Sequence, residues 1–249
     1  MEYLPLVFGC IAFLYSSIGF GGGSSYLAIL SLFLSDFFEI RSTALILNVT
    51  VVIIGTFAFV RQGVFDGKRF WPFLALSLPM AYLGATVRLS ERDFFLVLGG
   101  ALLLSGLTML LRIAYRRHTS RELTRGGKLA FGGGIGFLSG ISGIGGGIFL
   151  SPALNLFRWA NPRVVAALSS VFILVNSLSG LLGLSIAGTL RLDSGRVVPL
   201  ILSVVVGGAT GSYLSGRTPD TRWIAGLTAV LVMYVGLRLL LLHGFDLSI

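Results

Sequence analysis

"SSIGFGGGSSYLAILSLF" runs from Ser16 to Phe33, and "SGISGIGGGIFLSPALNLF" from Ser139 to Phe157. Each sets the same GxGGG core inside an apolar run: Gly19, Gly21, Gly22 and Gly23 in one, Gly143, Gly145, Gly146 and Gly147 in the other. Glycine costs about 1 kcal/mol relative to alanine inside a helix, so three in a row predict that the helix stops there. The surrounding chain is 55% hydrophobic and 12% charged, with mean hydropathy +0.91. A soluble domain carries about 25% charged residues. Apolar runs of about 20 residues match the ~30 Å hydrocarbon core of a bilayer. The sequence therefore predicts an all-α polytopic membrane protein of about eight hydrophobic helical segments. Two of them, 4–34 and 129–157, open on a glycine break; the others span 42–60, 70–88, 94–113, 164–187, 197–215 and 222–242.

Four segments, a linker and four segments suggest duplication, and residue identities strengthen it. Asn48 and Gly55 match Asn176 and Gly183. Asp66, Arg69 and Pro72 match Asp193, Arg196 and Pro199, and Gly84 matches Gly211. We expect two homologous transmembrane repeats, 1–113 and 129–249, joined by a basic linker, 114–128. Six of the 19 Lys and Arg lie between Arg112 and Lys128, so the positive-inside rule places this linker in the cytoplasm. That distribution accounts for the net charge of +9 without nucleic acid, and none is expected as a partner.

A break inside hydrocarbon must satisfy its backbone from protein or from a wet cavity. It exposes N–H groups, and the half-helix that follows aims its positive N-terminal end at the gap. Such a break is an anion site that needs no charged side chain. The substrate-binding candidates are accordingly Gly21, Gly22, Gly23, Ser24, Ser25, Ser142, Gly145, Gly146 and Gly147. Ser24 and Ser25 read as N-caps of the second half-helix; Ile148 and Phe149 replace them in the other copy. Asn48 and Asn176, mid-span amides at matching positions, fit interhelical hydrogen bonds and substrate contacts equally well.

Other classes lose support. All ten acidic residues fall at segment ends or in loops, which weighs against a cation pump or proton relay. The lone cysteine, Cys10, excludes an intrachain disulfide, and no His/Cys cluster suits a metal. No cofactor is expected. No serine has a plausible histidine base, so an enzyme is not expected either. Arg41, Arg88, Arg163 and Arg217 stand at segment ends and read as interfacial side chains that snorkel to water. The start, "MEYLPLVFGC", has no basic stretch or A-x-A site and reads as mature chain. Small-residue faces at 99–106 and 205–212 read as helix-packing surfaces and as candidates for a homodimer contact.

These features together resemble the TauE/SafE sulfite exporter family. The carriers are "GFGGGSSYLAILSLF" and "GIGGGIFLSPALNLF", with "STALILN" (42–48), "VRQGVFDGKRFWP" (60–72), "LGATV" (83–87) and "GATGSYL" (208–214). Ala28 stands where the family pattern has proline, a position Pro152 keeps in the second copy; "AGTLRLD" (187–193) keeps a trace of the turn motif. The resemblance implies a permease that exports a small sulfur-containing anion, such as sulfite, a sulfonate or sulfoacetate, across a bacterial inner membrane. It implies no ATPase domain, and no P-loop is present. Alternating access about the two breaks is the expected mechanism; a small-anion channel or a permease for other anions is the alternative. Charge placement leaves open whether the repeats are parallel or inverted. Inversion is the expectation, because it brings both half-helix ends to mid-membrane from opposite sides.

Overall fold

The computed structural model describes residues 3–17, 19–34, 36–87, 89–114, 123–157, 159–214 and 222–244. Most of the expected linker, with His118, lies outside the described residues, as do Arg88, Arg217 and the side chain of His243. Among the described residues every regular element is helical. The order is α1 (Leu4–Ser17), α2 (Gly23–Phe33), α3 (Phe37–Arg61), α4 (Gly67–Thr86), α5 (Glu91–Ala114), α6 (Arg125–Ser142), α7 (Gly147–Leu156), α8 (Pro162–Ile186), α9 (Ser194–Leu214) and α10 (Arg222–Gly244). Eight expected segments become ten helices because the two glycine-bearing ones are each two. Several helices also begin before their apolar run does, because polar residues cap them. Asp36 accepts from Phe38 N at 2.9 Å, Asp66 from Arg69 N at 3.1 Å, Thr124 from Gly127 N at 3.2 Å and Asn161 from Arg163 N at 3.0 Å.

Helices α3, α8 and α9 are long and apolar enough to cross a membrane. The polarity of the bundle fits lipid. Leu182, Val198, Leu202 and Val206 are exposed, while Ser25, Asn48, Ser77, Ser105, Ser169 and Ser177 are fully buried.

Between α1 and α2 the chain turns back. Phe8 and Tyr26 stack with ring centroids 5.2 Å apart. On a straight continuation their Cα atoms would be ~27 Å apart at ~1.5 Å per residue, more than two aromatic side chains can bridge. Phe131 and Phe157 meet at 6.4 Å across α6 and α7, where a straight path would separate them by ~39 Å. Each glycine stretch is thus the tip of a helical hairpin.

Packing pairs the first five helices with the last five. Helices α3 and α8 run antiparallel: Leu45 faces Gly180, Asn48 faces Ser177, and Thr56 Oγ1 lies 2.9 Å from Ser170 Oγ. Helices α5 and α10 are antiparallel too, with Gly99 against Gly236 and Arg92 donating to the Gly244 carbonyl at 3.3 Å. By contrast α1 runs parallel to α9, Gly9 and Phe13 meeting Gly207 and Gly211, and α6 runs parallel to α4, Gly132 and Gly140 meeting Phe73 and Ala81. Helix α2 packs on α3 and α10, and α7 on α8 and α5. Replacing each helix by the one five places on reproduces these pairings. The small-residue faces at 99–106 and 205–212 are therefore occupied by α10 and α1 of the same chain.

Gly84 and Gly211 make corresponding contacts. A Cβ at Gly84 would overlap the Phe137 carbonyl, and one at Gly211 the Phe13 carbonyl. Neither carbonyl can retreat without moving its helix. Gly84→Val and Gly211→Val should each destabilise the detergent-purified protein by about 1–3 kcal/mol, read as a lower thermal midpoint. An unchanged midpoint would mean that these helices do not approach as closely as described.

Candidate functional site

The two hairpin tips converge on one side chain, Asn48. Each helix ending has a local cause. Gly143 caps α6 in the left-handed region, φ 73°, donating to the Ser139 carbonyl at 2.8 Å. Gly22 and Gly146 precede α2 and α7 at φ 88° and 81°. An L-residue pays roughly 1–2 kcal/mol in that region, so these turns need glycine.

Past each turn the next half-helix starts with free donors. The N–H groups of Gly21, Gly22, Gly23, Ser24 and Ser25 make no hydrogen bond within the described residues, and the first bonded amide is Tyr26 N, to the Gly22 carbonyl. In the second tip the same holds for Ile144, Gly145, Gly146, Gly147 and Ile148, with bonding resumed at Phe149 N. Phe20 to Ser25 and Gly143 to Leu150 are all buried. A run of unpaired N–H groups at a helix start concentrates positive potential, and here two runs lie deep in the protein.

Asn48, in α3, joins them. Its Nδ2 donates to the Ile144 carbonyl at 3.1 Å and to Ser177 Oγ at 3.2 Å. A Cβ at Gly21 would overlap its Oδ1, one at Gly145 its Nδ2, and one at Gly23 would come within 2.8 Å of both Nδ2 and the Ile144 carbonyl. Beside it lies a small cavity lined by Tyr15, Phe20, Gly21, Gly22, Gly23, Ser24, Asn48, Ile144, Ile148 and Ile173. Its free space is about that of a single water molecule. No carboxylate lines it, and no group of metal-ligating side chains occurs among the described residues.

The sequence candidates divide. Gly21, Gly22, Gly23, Ser24 and Asn48 line the cavity. Gly145 touches Asn48, while Gly146 and Gly147 pack on Phe172 and Ile173. Ser142 Oγ donates to the Leu138 carbonyl at 2.7 Å. Ser24 and Ser25 are not N-caps: α2 starts at Gly23, Gly22 holds the cap position, and both serines lie in the first turn. Their hydroxyls instead meet Tyr15 Oη, at 3.5 Å for Ser24 and 2.7 Å for Ser25, because the hairpin folds α1 against them. Asn176 is 1% exposed and neither end of its amide has a partner among the described residues; Ser177, the next residue, is the one that reaches Asn48. Sequence reasoning does not single out Tyr15 or Ser177 as site residues. Tyr15 is a polar aromatic one residue before the Ser-Ser that opens the break, and Ser177 sits beside the amide that drew attention.

Arg41 overturns its reading as an interfacial side chain. It is 2% exposed, and its Nη2 donates to the Gly140 carbonyl at 2.7 Å. Where α3 begins, other charges pair with one another: Arg191 with Asp36 at 2.7 Å and Arg196 with Glu39 at 3.2 Å. Desolvation pushes the Asp36 carboxyl up, but bonds from Arg191 and from the Phe38 and Glu39 N–H groups outweigh it and hold the carboxyl below its usual range.

Comparison with known proteins gives a consistent result. The family described as Sulfite exporter TauE/SafE matches residues 4–239. A "Probable membrane transporter protein y4hK" of Sinorhizobium fredii is 32% identical over 247 residues, covering 95% of this chain and 97% of its own. A "Probable membrane transporter protein YunE" of Bacillus subtilis is 25% identical over 268 residues, covering 95% of each. No solved structure matches the chain.

Proposed function

The chain belongs to the TauE/SafE family of membrane transporters, and from that premise we propose that it exports a small sulfur-containing anion, sulfite or an organosulfonate such as sulfoacetate. The observation that carries this reading is the meeting, at Asn48, of two buried runs of unpaired N–H groups. Oxyanions are what such donors bind. The absence of a carboxylate from the cavity lining removes the repulsion that an anion would otherwise meet.

In this reading the two halves are inverted repeats. A re-entrant hairpin adds no net crossing, so each half crosses the membrane three times and the second half enters from the opposite face. Antiparallel packing of α3 with α8 and of α5 with α10 supports this. With the basic linker in the cytoplasm, α3 begins at the outer face. The hairpins then enter from opposite sides and cross near Asn48, where transporters built from inverted repeats hold substrate. Burial of the site supports alternating access rather than an open pore. An inside-negative potential favours anion exit by ~2.3 kcal/mol per charge per 100 mV, so uniport suffices.

The test is flux through the purified full-length protein in liposomes, with sulfite, sulfoacetate, taurine, sulfate, acetate and chloride compared. The expected result is saturable flux of sulfite or a sulfonate, accelerated by substrate on the opposite side, with a matching ligand-induced rise in thermal midpoint. Linear, unaccelerated flux would indicate a channel. No flux of any of these anions would remove the proposal.

A further inference from the structure

Among the described residues, Arg41 is a buried cation without a counter-ion. Its Nη2 donates to a neutral carbonyl, Gly140 O; among the described residues its buried Nε has no partner, and its guanidinium lies 5.6 Å from the Phe94 ring centroid. Among the described residues no carboxylate pairs with it, Asp36, Glu39 and Asp193 being engaged by Arg191 and Arg196. A carbonyl and a ring face do not neutralise a guanidinium, and an uncompensated buried charge costs several kcal/mol. A neutral donor such as glutamine would meet the needs of Gly140 at less cost. A positive charge kept inside a membrane bundle marks a ligand pathway by default.

Its position says which ligand. Arg41 and Asn48 are seven residues apart on α3, two turns along one face, ~10.5 Å. Both face the second hairpin tip: Asn48 bonds the Ile144 carbonyl, and the Arg41 methylenes lie against Gly143, whose added Cβ would meet Cγ at 3.4 Å. In the other half Gly19 meets Ala166 where Gly143 meets Arg41, so no cation stands at the matching place.

We propose that Arg41 is a second anion-binding station, two turns from the glycine-tip cavity towards the end where α3 begins, which takes the oxygens of the substrate anion on its guanidinium during passage. The inference rests on the anion-transport reading above and adds the residue that recognises charge rather than hydrogen-bond shape. Oxyanions present paired acceptors that a guanidinium fork matches, and the unpartnered Nε is the donor left for them.

The test uses sulfite counterflow into liposomes holding the full-length protein, with methanesulfonate and its neutral isostere methanesulfonamide as competitors. Wild-type protein should be inhibited by the anion at a concentration at least about tenfold lower than by the amide, the difference a charged hydrogen bond makes. Arg41→Gln keeps a donor for Gly140 but no charge. It should raise the KM for sulfite about tenfold or more and bring the two competitors to near equality. A structural role would lower the maximal rate and leave the competitor ratio unchanged, and that result overturns the proposal. If Arg41→Gln is not monodisperse, Arg41→Lys decides: the ammonium lacks the fork, so KM should rise by roughly threefold or more, and an unchanged KM overturns the station. Wild-type protein that carries no anion defeats the transport reading itself and the station with it, a failure seen before any variant is made.

Discussion

Gly21→Ala should abolish most transport while leaving the protein folded. Gly21 is not among the glycines in the left-handed region, so alanine meets no backbone strain there. Its methyl would instead overlap Asn48 Oδ1 and come within 2.7 Å of Val52 Cγ1. Asn48 must rotate away, losing its bonds to the Ile144 carbonyl and Ser177, and the tip shifts against the cavity. We expect at least a tenfold loss of flux, equivalent to ~1.4 kcal/mol, with a stability cost of about 1–3 kcal/mol. Gly145→Ala combines the same clash, now with Asn48 Nδ2, with a φ of 82°, and should lower the thermal midpoint further. Gly134→Ala is the control: nothing lies within 4 Å of an added Cβ in that α6 position, so flux should be unchanged and stability equal or slightly higher. Flux and midpoint measured on the same preparations separate the three. Wild-type flux from Gly21→Ala would show that the Asn48 contact does not govern transport.

Replacement of Asn48 should have the second large effect, and the comparison with Asn176 gives it meaning. Asn48→Leu removes the donor shared by the Ile144 carbonyl and Ser177 Oγ. A buried polar group left unpaired costs about 1–3 kcal/mol, and the second tip loses the bond that fixes it to α3. Asn48→Asp is the sharper variant for function: it places a carboxylate beside the cavity, where it would face the Ile144 carbonyl and repel an anion. Both should reduce sulfite or sulfonate flux to near background. Asn176→Leu should leave flux intact and stability unchanged or raised, because neither end of that buried amide is partnered among the described residues. Equal losses from the Asn48 and Asn176 variants would restore the symmetric assignment that sequence matching suggested.

Much of the fold is legible in the chain because the responsible forces are local. Apolar length and scarce charge identify the solvent, and Asp36, Asp66 and Asn161 mark helix starts through bonds to residues two or three positions on. Three glycines in a row favour a helix end without compelling one: Gly132, Gly133 and Gly134 lie inside α6. The matched blocks suggest a duplicated pattern; in the fold, helix contacts recur five places along the chain. Local rules fail where a partner comes from far along the chain. Ser24 and Ser25 have the chemistry of caps, yet the folded-back α1 brings Tyr15 to them instead.

Residue order alone shows that the chain is apolar and helix-forming and that two matching GxGGG stretches interrupt its apolar runs without charged side chains. Which side chains those stretches meet is set by packing between distant parts of the chain. Asn48 finds Ser177 at a separation of 129 residues and Ile144 at 96, and Arg41 finds Gly140 at 99. Such contacts depend on the antiparallel register of α3 against α8 and on how deep each hairpin tip reaches. Nothing within a window of a few residues encodes either, so Arg41 reads as a surface cation until the second hairpin is packed over it.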